Sequence, residues 1–283
     1  MLSRLAHRLA FTAGATLLLG AAALGSSTLL GACGGDDATT TGERVKLATR
    51  VVADDGVLAP FTSALGWSVK LSKVAVSVGA VYYFDGAPIF SASASPRPSR
   101  PRIGHFFGVR AAHAHPGHYA PGNALGQMLT PSSADLALGP ADLADGEGTT
   151  GTFRSGRLVF GDPPVGPAAA TLGASVVVVE GEATKGALVR VFRASGSAAD
   201  AADSYGEPRL EGCVFTGEPE ILADGVVTIH VKPSVWLDQA DFEPIAESSD
   251  GEPVDLAPGD EAFKAFARGL KKGSAVVFSY EAN

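Results

Sequence analysis

Histidine is concentrated in one short stretch. In AHAHPGHYAPG, residues 112–122, His113, His115 and His118 follow one another closely, and His105 lies just upstream. An extended His113-Ala114-His115 puts both imidazoles on one face, because alternate side chains of a strand share a side. Ala114 between them is small enough to leave a ligand room. Pro116 favours an extended His115. Pro116-Gly117 suits the centre of a type II turn, whose first and fourth residues, here His115 and His118, lie within about 7 Å. One segment can thus direct three imidazoles at a point, where zinc or copper takes nitrogen ligands at roughly 2.0–2.1 Å. His105 has the parity of His113, but eight residues of strand cover about 27 Å. It joins the group only if the chain bends sharply between Gly108 and Ala112. Tyr119, Cys213 and His105 are the further candidate ligands, with a carboxylate from another strand or water as the alternatives.

The metal is narrowed by what accompanies the histidines. Met128 is the one methionine beyond Met1, which disfavours a methionine-rich Cu(I) carrier, whereas imidazole suits Cu(II) and Zn(II). Three histidines with an open position also suit hydrolysis, since zinc lowers the pKa of bound water towards about 7. The sequence offers no base to assist such a water, so metal binding ranks above catalysis. The same string also fits a solvated loop, or one whose protonation near pH ~6.5 tunes an interface. His230 alternates with Ile229 and Val231 and is expected on a polar, solvent-facing side.

Other chemistry is harder to find. The chain contains no G-x-S-x-G, no G-x-x-x-x-G-K and no C-x-x-C-H, the patterns of a nucleophile elbow, a phosphate loop and covalent haem. Asp54-Asp55 and the Asp241/Glu243 pair read as acidic turns. No nucleophile–base pair is assembled within any one segment.

The N-terminus is more specific. Arg4 and Arg8 precede an uncharged run from Leu9 to Leu30, a basic start and apolar stretch typical of an export signal. The run is also about as long as a membrane-spanning helix requires, so an uncleaved anchor is the alternative. Leu30-Gly31-Ala32-Cys33 resembles the lipobox of bacterial lipoproteins, an apolar residue and two small ones before a cysteine. The resemblance covers residues 1–33 and implies cleavage before Cys33 and lipidation of its thiol. It implies a cell-envelope protein held at a membrane by its lipid. By the same analogy, Gly34 rather than Asp after the cysteine suits the outer membrane, facing the periplasm or exterior, in a Gram-negative cell.

Residues 33–44 carry no apolar pattern and read as a flexible tether. The formal charge of −8 becomes −10 once Arg4 and Arg8 are removed. Such acidity argues against nucleic acid as a partner and against electrostatic adhesion to anionic lipid. Another envelope protein is a partner the surface permits. Lipidation would leave Cys213 the one free cysteine, expected to be buried and inert within LEGCVFTGE.

Residues 45–283 must position these groups, and they read as strands. Candidates are Val45–Val52, Trp67–Val78 with a bulge near Lys73, VYYF at 81–84, His105–Ala111, Gly151–Phe160 and Ala174–Glu180. Ala187–Ala194, Leu210–Thr216, Val226–Val235 and Ser274–Tyr280 complete the set. β-Branched and aromatic residues concentrate in them, with Gly, Pro, Asp and Ser between. PGDEAFKAFARGLKKG predicts one helix, with Phe263, Phe266, Ala267 and Leu270 on one face, Asp260 as N-cap and Gly273 as stop. A short turn is expected near Ser133–Ala144. SASASPRPSRPR, residues 91–102, with Arg97, Arg100 and Arg102, reads as an exposed loop. The expected fold is mainly β: an antiparallel sandwich or partly open barrel of about ten strands with one helix near the C-terminus.

Overall fold

A computed structural model describes residues 42–88, 119, 121–248 and 250–283. The histidines at 105, 113, 115 and 118, the loop at 91–102 and everything before residue 42, Cys33 included, lie outside the described residues. In chain order the strands are β1 (Arg44–Ala53), β2 (Phe61–Thr62), β3 (Ser68–Phe84), β4 (Ala124–Met128), β5 (Ser132–Asp135), β6 (Ala141–Asp142), β7 (Gly146–Thr149) and β8 (Gly151–Thr152). They continue as β9 (Ser155–Phe160), β10 (Ser175–Lys185), β11 (Leu188–Ser197), β12 (Arg209–Phe215), β13 (Glu220–Ile221), β14 (Gly225–Val231), β15 (Val254–Asp255) and β16 (Val276–Ala282). The helices are α1 (Ala169–Leu172), α2 (Pro233–Leu237) and α3 (Glu261–Leu270).

The fold is mainly β, as the composition of its segments predicts, but it is a closed barrel rather than a sandwich or an open one. Eight strands follow one another around it in the order β3-β4-β7-β1-β14-β16-β12-β9, and β9 then pairs with β3 to close the ring. Nor is it purely antiparallel: β1 runs parallel to β14, and β12 parallel to β16. The length of β3 makes closure compatible with a second layer. Its 17 residues pair through their first half with β10, and through their second half with β4 and β9. β10, β11 and β15 extend outward from that first half as a flap. The expected bulge is present, the register slipping where Lys73 and Leu71 face Glu180 and Gly181. One extra residue there reverses which parity faces inward, so Val69 and Leu71 are buried before it and Val74, Val76 and Val78 after it.

The barrel is filled. Tyr83, Phe153, Phe215 and Phe278 cluster inside, with Phe215 stacked on Phe278 at 5.3 Å and Tyr83 edge-on to Phe278 at 5.8 Å. Rings at such separations add roughly 0.5–1.5 kcal/mol per pair beyond area burial. A Cβ on Gly156 would stand 2.4 Å from the Phe278 ring, so that glycine is the space the aromatic cluster occupies. A second aromatic group, Trp67, Phe192 and Phe242, fills the junction of flap and helices, with Phe192 and Phe242 centroids 4.6 Å apart.

Several local expectations change. The segment Val226–Val235 ends as a strand at Val231. Pro233 cannot donate to a ladder but suits the first turn of a helix, and α2 starts there. Gly151–Phe160 is broken into β8 and β9. The turn expected near Ser133–Ala144 is a single 3₁₀ turn, Leu136–Leu138, between β5 and β6. Two helices join the one expected. That one, α3, has Asp260 in extended N-cap geometry, yet its carboxylate accepts from Ala257 N at 2.7 Å rather than from the helix.

α3 packs against α2 through Gly269, where a Cβ would meet Trp236 Cα at 2.5 Å and its carbonyl oxygen at 2.6 Å. Alanine is preferred over glycine in a helix by about 0.8–1.0 kcal/mol, while forcing atoms into a packed contact costs typically 1–3 kcal/mol. The obstruction is backbone and cannot swing aside, so the clash should win. Gly269→Ala is expected to lower the urea midpoint; a raised midpoint would show the helices free to separate.

Candidate functional site

Two ends of the barrel can be told apart by strand direction. At one end lie the start of β1, the finish of β3, the start of β4, the finish of β7 and the start of β9. The residues that precede β1 enter there, with Glu43 N donating to Thr150 Oγ1 at 3.0 Å. Pro88 and Tyr119, which bracket the histidine-bearing residues, belong to the same end. Asp85 carboxylate oxygens there accept from Asn123 N at 2.7 Å and Asn123 Nδ2 at 2.8 Å.

Tyr119 is fixed to this end by a short chain of hydrogen bonds. Its hydroxyl lies 2.6 Å from Ser155 Oγ, and Ser155 donates to Gly86 O at 2.7 Å. Since the Ser155 proton goes to the carbonyl, the Tyr119 hydroxyl is the donor between the two oxygens. Burial raises the Tyr119 pKa, partly offset by the Ser155 contact. Tyr119 is therefore a protonated, engaged phenol and an anchor immediately beside His118, poorly suited to act as a phenolate ligand.

Cys213 is fully buried. Burial pushes its thiol up to about 12, so it remains protonated and unavailable to a metal, which binds the thiolate. The strand and burial expected of LEGCVFTGE are both present, with Gly212 at φ +64° taking the left-handed position where the register of β12 slips against β9. Among the described residues no group of three His, Cys, Asp or Glu side chains is arranged to hold a metal.

The wall beside Tyr119 carries an ion-pair lattice. Glu211 accepts from Arg157 at 2.7 Å and faces Arg209 Nε at 3.3 Å, while Arg209 Nε also reaches Asp203 at 2.7 Å. Arg157 lies over the Phe84 ring at 5.4 Å, a contact available to a guanidinium through its flat face.

The acidic turns do structural work that spacing alone does not reveal. Asp55 accepts from Ser234 N at 3.0 Å and from Ser234 Oγ, joining the exit of β1 to the first turn of α2. Asp241 accepts from Trp67 Nε1 at 3.3 Å and Glu243 N at 3.1 Å. His230 stands on the outer barrel wall, as its alternation with Ile229 and Val231 predicts. It is partly covered, with its side chain 28% exposed. Its Nδ1 lies 2.6 Å from Asp54 Oδ1 and its Nε2 lies 2.8 Å from Ser279 Oγ. A base with both a carboxylate and a hydroxyl partner is thus assembled after all, from β14, β16 and the exit of β1, segments distant in sequence. The alternation of His230 was the one available signal.

No protein-family model matches the chain, and no curated protein or solved structure is significantly similar to it. The functional reading therefore rests on these residues.

The burial of Cys213 has a direct consequence for its reactivity. In a Cys33→Ser chain, a thiol reagent at pH 8 should leave the folded protein untouched and modify one thiol on unfolding. Rapid modification of the folded protein would show that Cys213 is accessible.

Proposed function

We propose that the protein is a lipid-anchored lipoprotein of the bacterial cell envelope whose β-barrel domain displays a transition-metal-binding histidine group. Cys33 carries the lipid, and His113, His115 and His118 bind Cu(II) or Zn(II). The protein would serve as a metal carrier, sensor or accessory factor, at the outer membrane if the cell is Gram-negative. The observation that carries the reading is the spacing His-Ala-His-Pro-Gly-His, in which one extended tripeptide and one turn would bring three imidazoles together. The fold supports it by placing both brackets of that segment, Pro88 and Tyr119, on a rigid barrel end, with Tyr119 held by Ser155. Gly42 and Glu43, which precede β1, lie at the same end.

Cys213 and Tyr119 are not part of the proposed ligand set, one being a buried thiol and the other a hydrogen-bonded phenol. His105 remains too far along the chain unless residues 108–112 bend. Water or a carboxylate is the better fourth ligand. A metal-free module binding another envelope protein is the competing reading, favoured by the acidic surface and the closed, filled barrel.

Untagged protein should bind about one equivalent of Cu(II) or Zn(II), and the His113→Ala/His115→Ala/His118→Ala chain should lose it. Equal uptake by both would reject the histidine site. Partner capture unchanged by chelator and by the triple variant would favour the metal-free module. Cys33→Ala should move the protein out of the membrane fraction, whereas retention there would favour an uncleaved helical anchor.

A further inference from the structure

We infer that Asp54, His230 and Ser279 form a nucleophilic site, with Ser279 the attacking group, acting on small esters that reach the open outer wall of the barrel. The site is separate from the histidine segment and requires no metal.

The geometry is that of a serine nucleophile with an oriented base. Asp54 directly follows β1, His230 lies near the end of β14 and Ser279 lies on β16, so two adjacent strands and the exit of a third supply the members. A carboxylate accepts only, so a neutral His230 carries its proton on Nδ1, towards Asp54 at 2.6 Å. Its Nε2 lone pair then faces Ser279 Oγ at 2.8 Å. Both separations fall within the hydrogen-bond reach expected of a nucleophile, its base and the group that orients the base.

The backbone holds the arrangement. Val52 pairs with His230 across the β1–β14 ladder, and His230 pairs with Val277 across β14–β16. Ser279 is therefore diagonal to His230, directly opposite Thr228, with Arg50 opposite Thr228 on the far side. Asp54 N donates to Val231 O at 2.8 Å, fixing the carboxylate beside the ring. Directly opposed residues share a face with their Cβ atoms about 4.5–5.5 Å apart. Thr228 thus offers a hydroxyl donor beside the nucleophile, and Ser279 itself is partly exposed.

The chemistry balances without a cofactor. Ser279 Oγ attacks the ester carbonyl carbon while its proton passes to His230 Nε2, and Asp54 stabilises the imidazolium. The carbon–oxygen bond to the alcohol breaks, and the alcohol leaves with the proton from Nε2, giving acyl-Ser279. Water then attacks the acyl carbon, its proton moving to Nε2, and the carboxylic acid leaves as that proton returns to Ser279 Oγ. The Thr228 hydroxyl would donate to the carbonyl oxygen as charge develops on it.

Treating the full chain with a fluorophosphonate reagent, with p-nitrophenyl acetate turnover measured in parallel, tests this. The expected result is an adduct on the peptide containing Ser279, abolished in Ser279→Ala. Both adduct formation and turnover should fall about a hundredfold in His230→Gln, general-base catalysis contributing roughly 10²–10⁴. Thr228→Val, chosen as isosteric, should lower turnover while leaving thermal unfolding unchanged. Turnover should persist with chelator and in the triple histidine variant. The proposal is overturned if Ser279 takes no adduct, if adducts spread evenly over exposed serines, if folded His230→Gln reacts as the parent does, or if chelator abolishes turnover.

Discussion

β3 is the constraint on which the rest of the structure depends. One 17-residue strand belongs both to the closed barrel and to the flap, and the slip at Ser72 lets it change which parity faces the core between the two. Its second half must pair with β4 on one edge and β9 on the other, or the ring stays open. Closure removes the exposed edges of the eight strands and sequesters the ring cluster of Tyr83, Phe153, Phe215 and Phe278. The Tyr83 hydroxyl is buried, which raises its pKa, an effect the Thr49 side chain partly offsets. That unfavourable group is tolerated because the ring packs against three others.

A closed, filled barrel places chemistry outside its core. The described chemical groups sit on the outer wall or at the rim. At the rim, Tyr119 and Ser155 fix the residue next to the histidine segment, a few residues from where β1 begins. On the wall, neighbouring strands bring together side chains that no local segment contains. Parallel pairing of β1 with β14 sets Asp54 beside His230, and antiparallel pairing of β14 with β16 brings Ser279 to the other ring nitrogen.

How much was legible in the sequence follows from what each element packs against. β1 and β11 bury one face and show apolar alternation, β10 reads as an apolar run because Val176–Val179 are buried on both of its faces, and the extra residue near Lys73 is visible as a change of parity. α3 shows its apolar face because it covers a sheet. β4 and β7, sequences ALGQM and GEGT, show no such pattern because glycines let their backbones approach. A Cβ on Gly126 would stand 2.8 Å from Glu147 O, and one on Gly148 2.9 Å from a Leu47 methyl. Barrel closure depends on β3 pairing with β9, and parallel pairing on a long connection, so neither has a local signature. The same holds for the wall site: His230 was legible as a polar-face residue, but Asp54 lies 176 positions away and Ser279 lies 49 away. The histidine segment is the reverse case: its spacing and its Pro116-Gly117 pair are readable in sequence, and the fold adds the positions of Pro88 and Tyr119.

The central proposal is that the closed barrel displays a metal-binding histidine group at the end where β1 begins. The most direct measurement is the dipolar distance from bound Cu(II) to a nitroxide on Leu222→Cys at that end or on Leu138→Cys at the other, both exposed positions, in a Cys33→Ser chain. The ten residues of β1, at roughly 3.3 Å each, separate the two ends by about 30 Å. The account predicts a clearly shorter distance to the Leu222 label. A shorter distance to the Leu138 label, or equal distances to both, would contradict it.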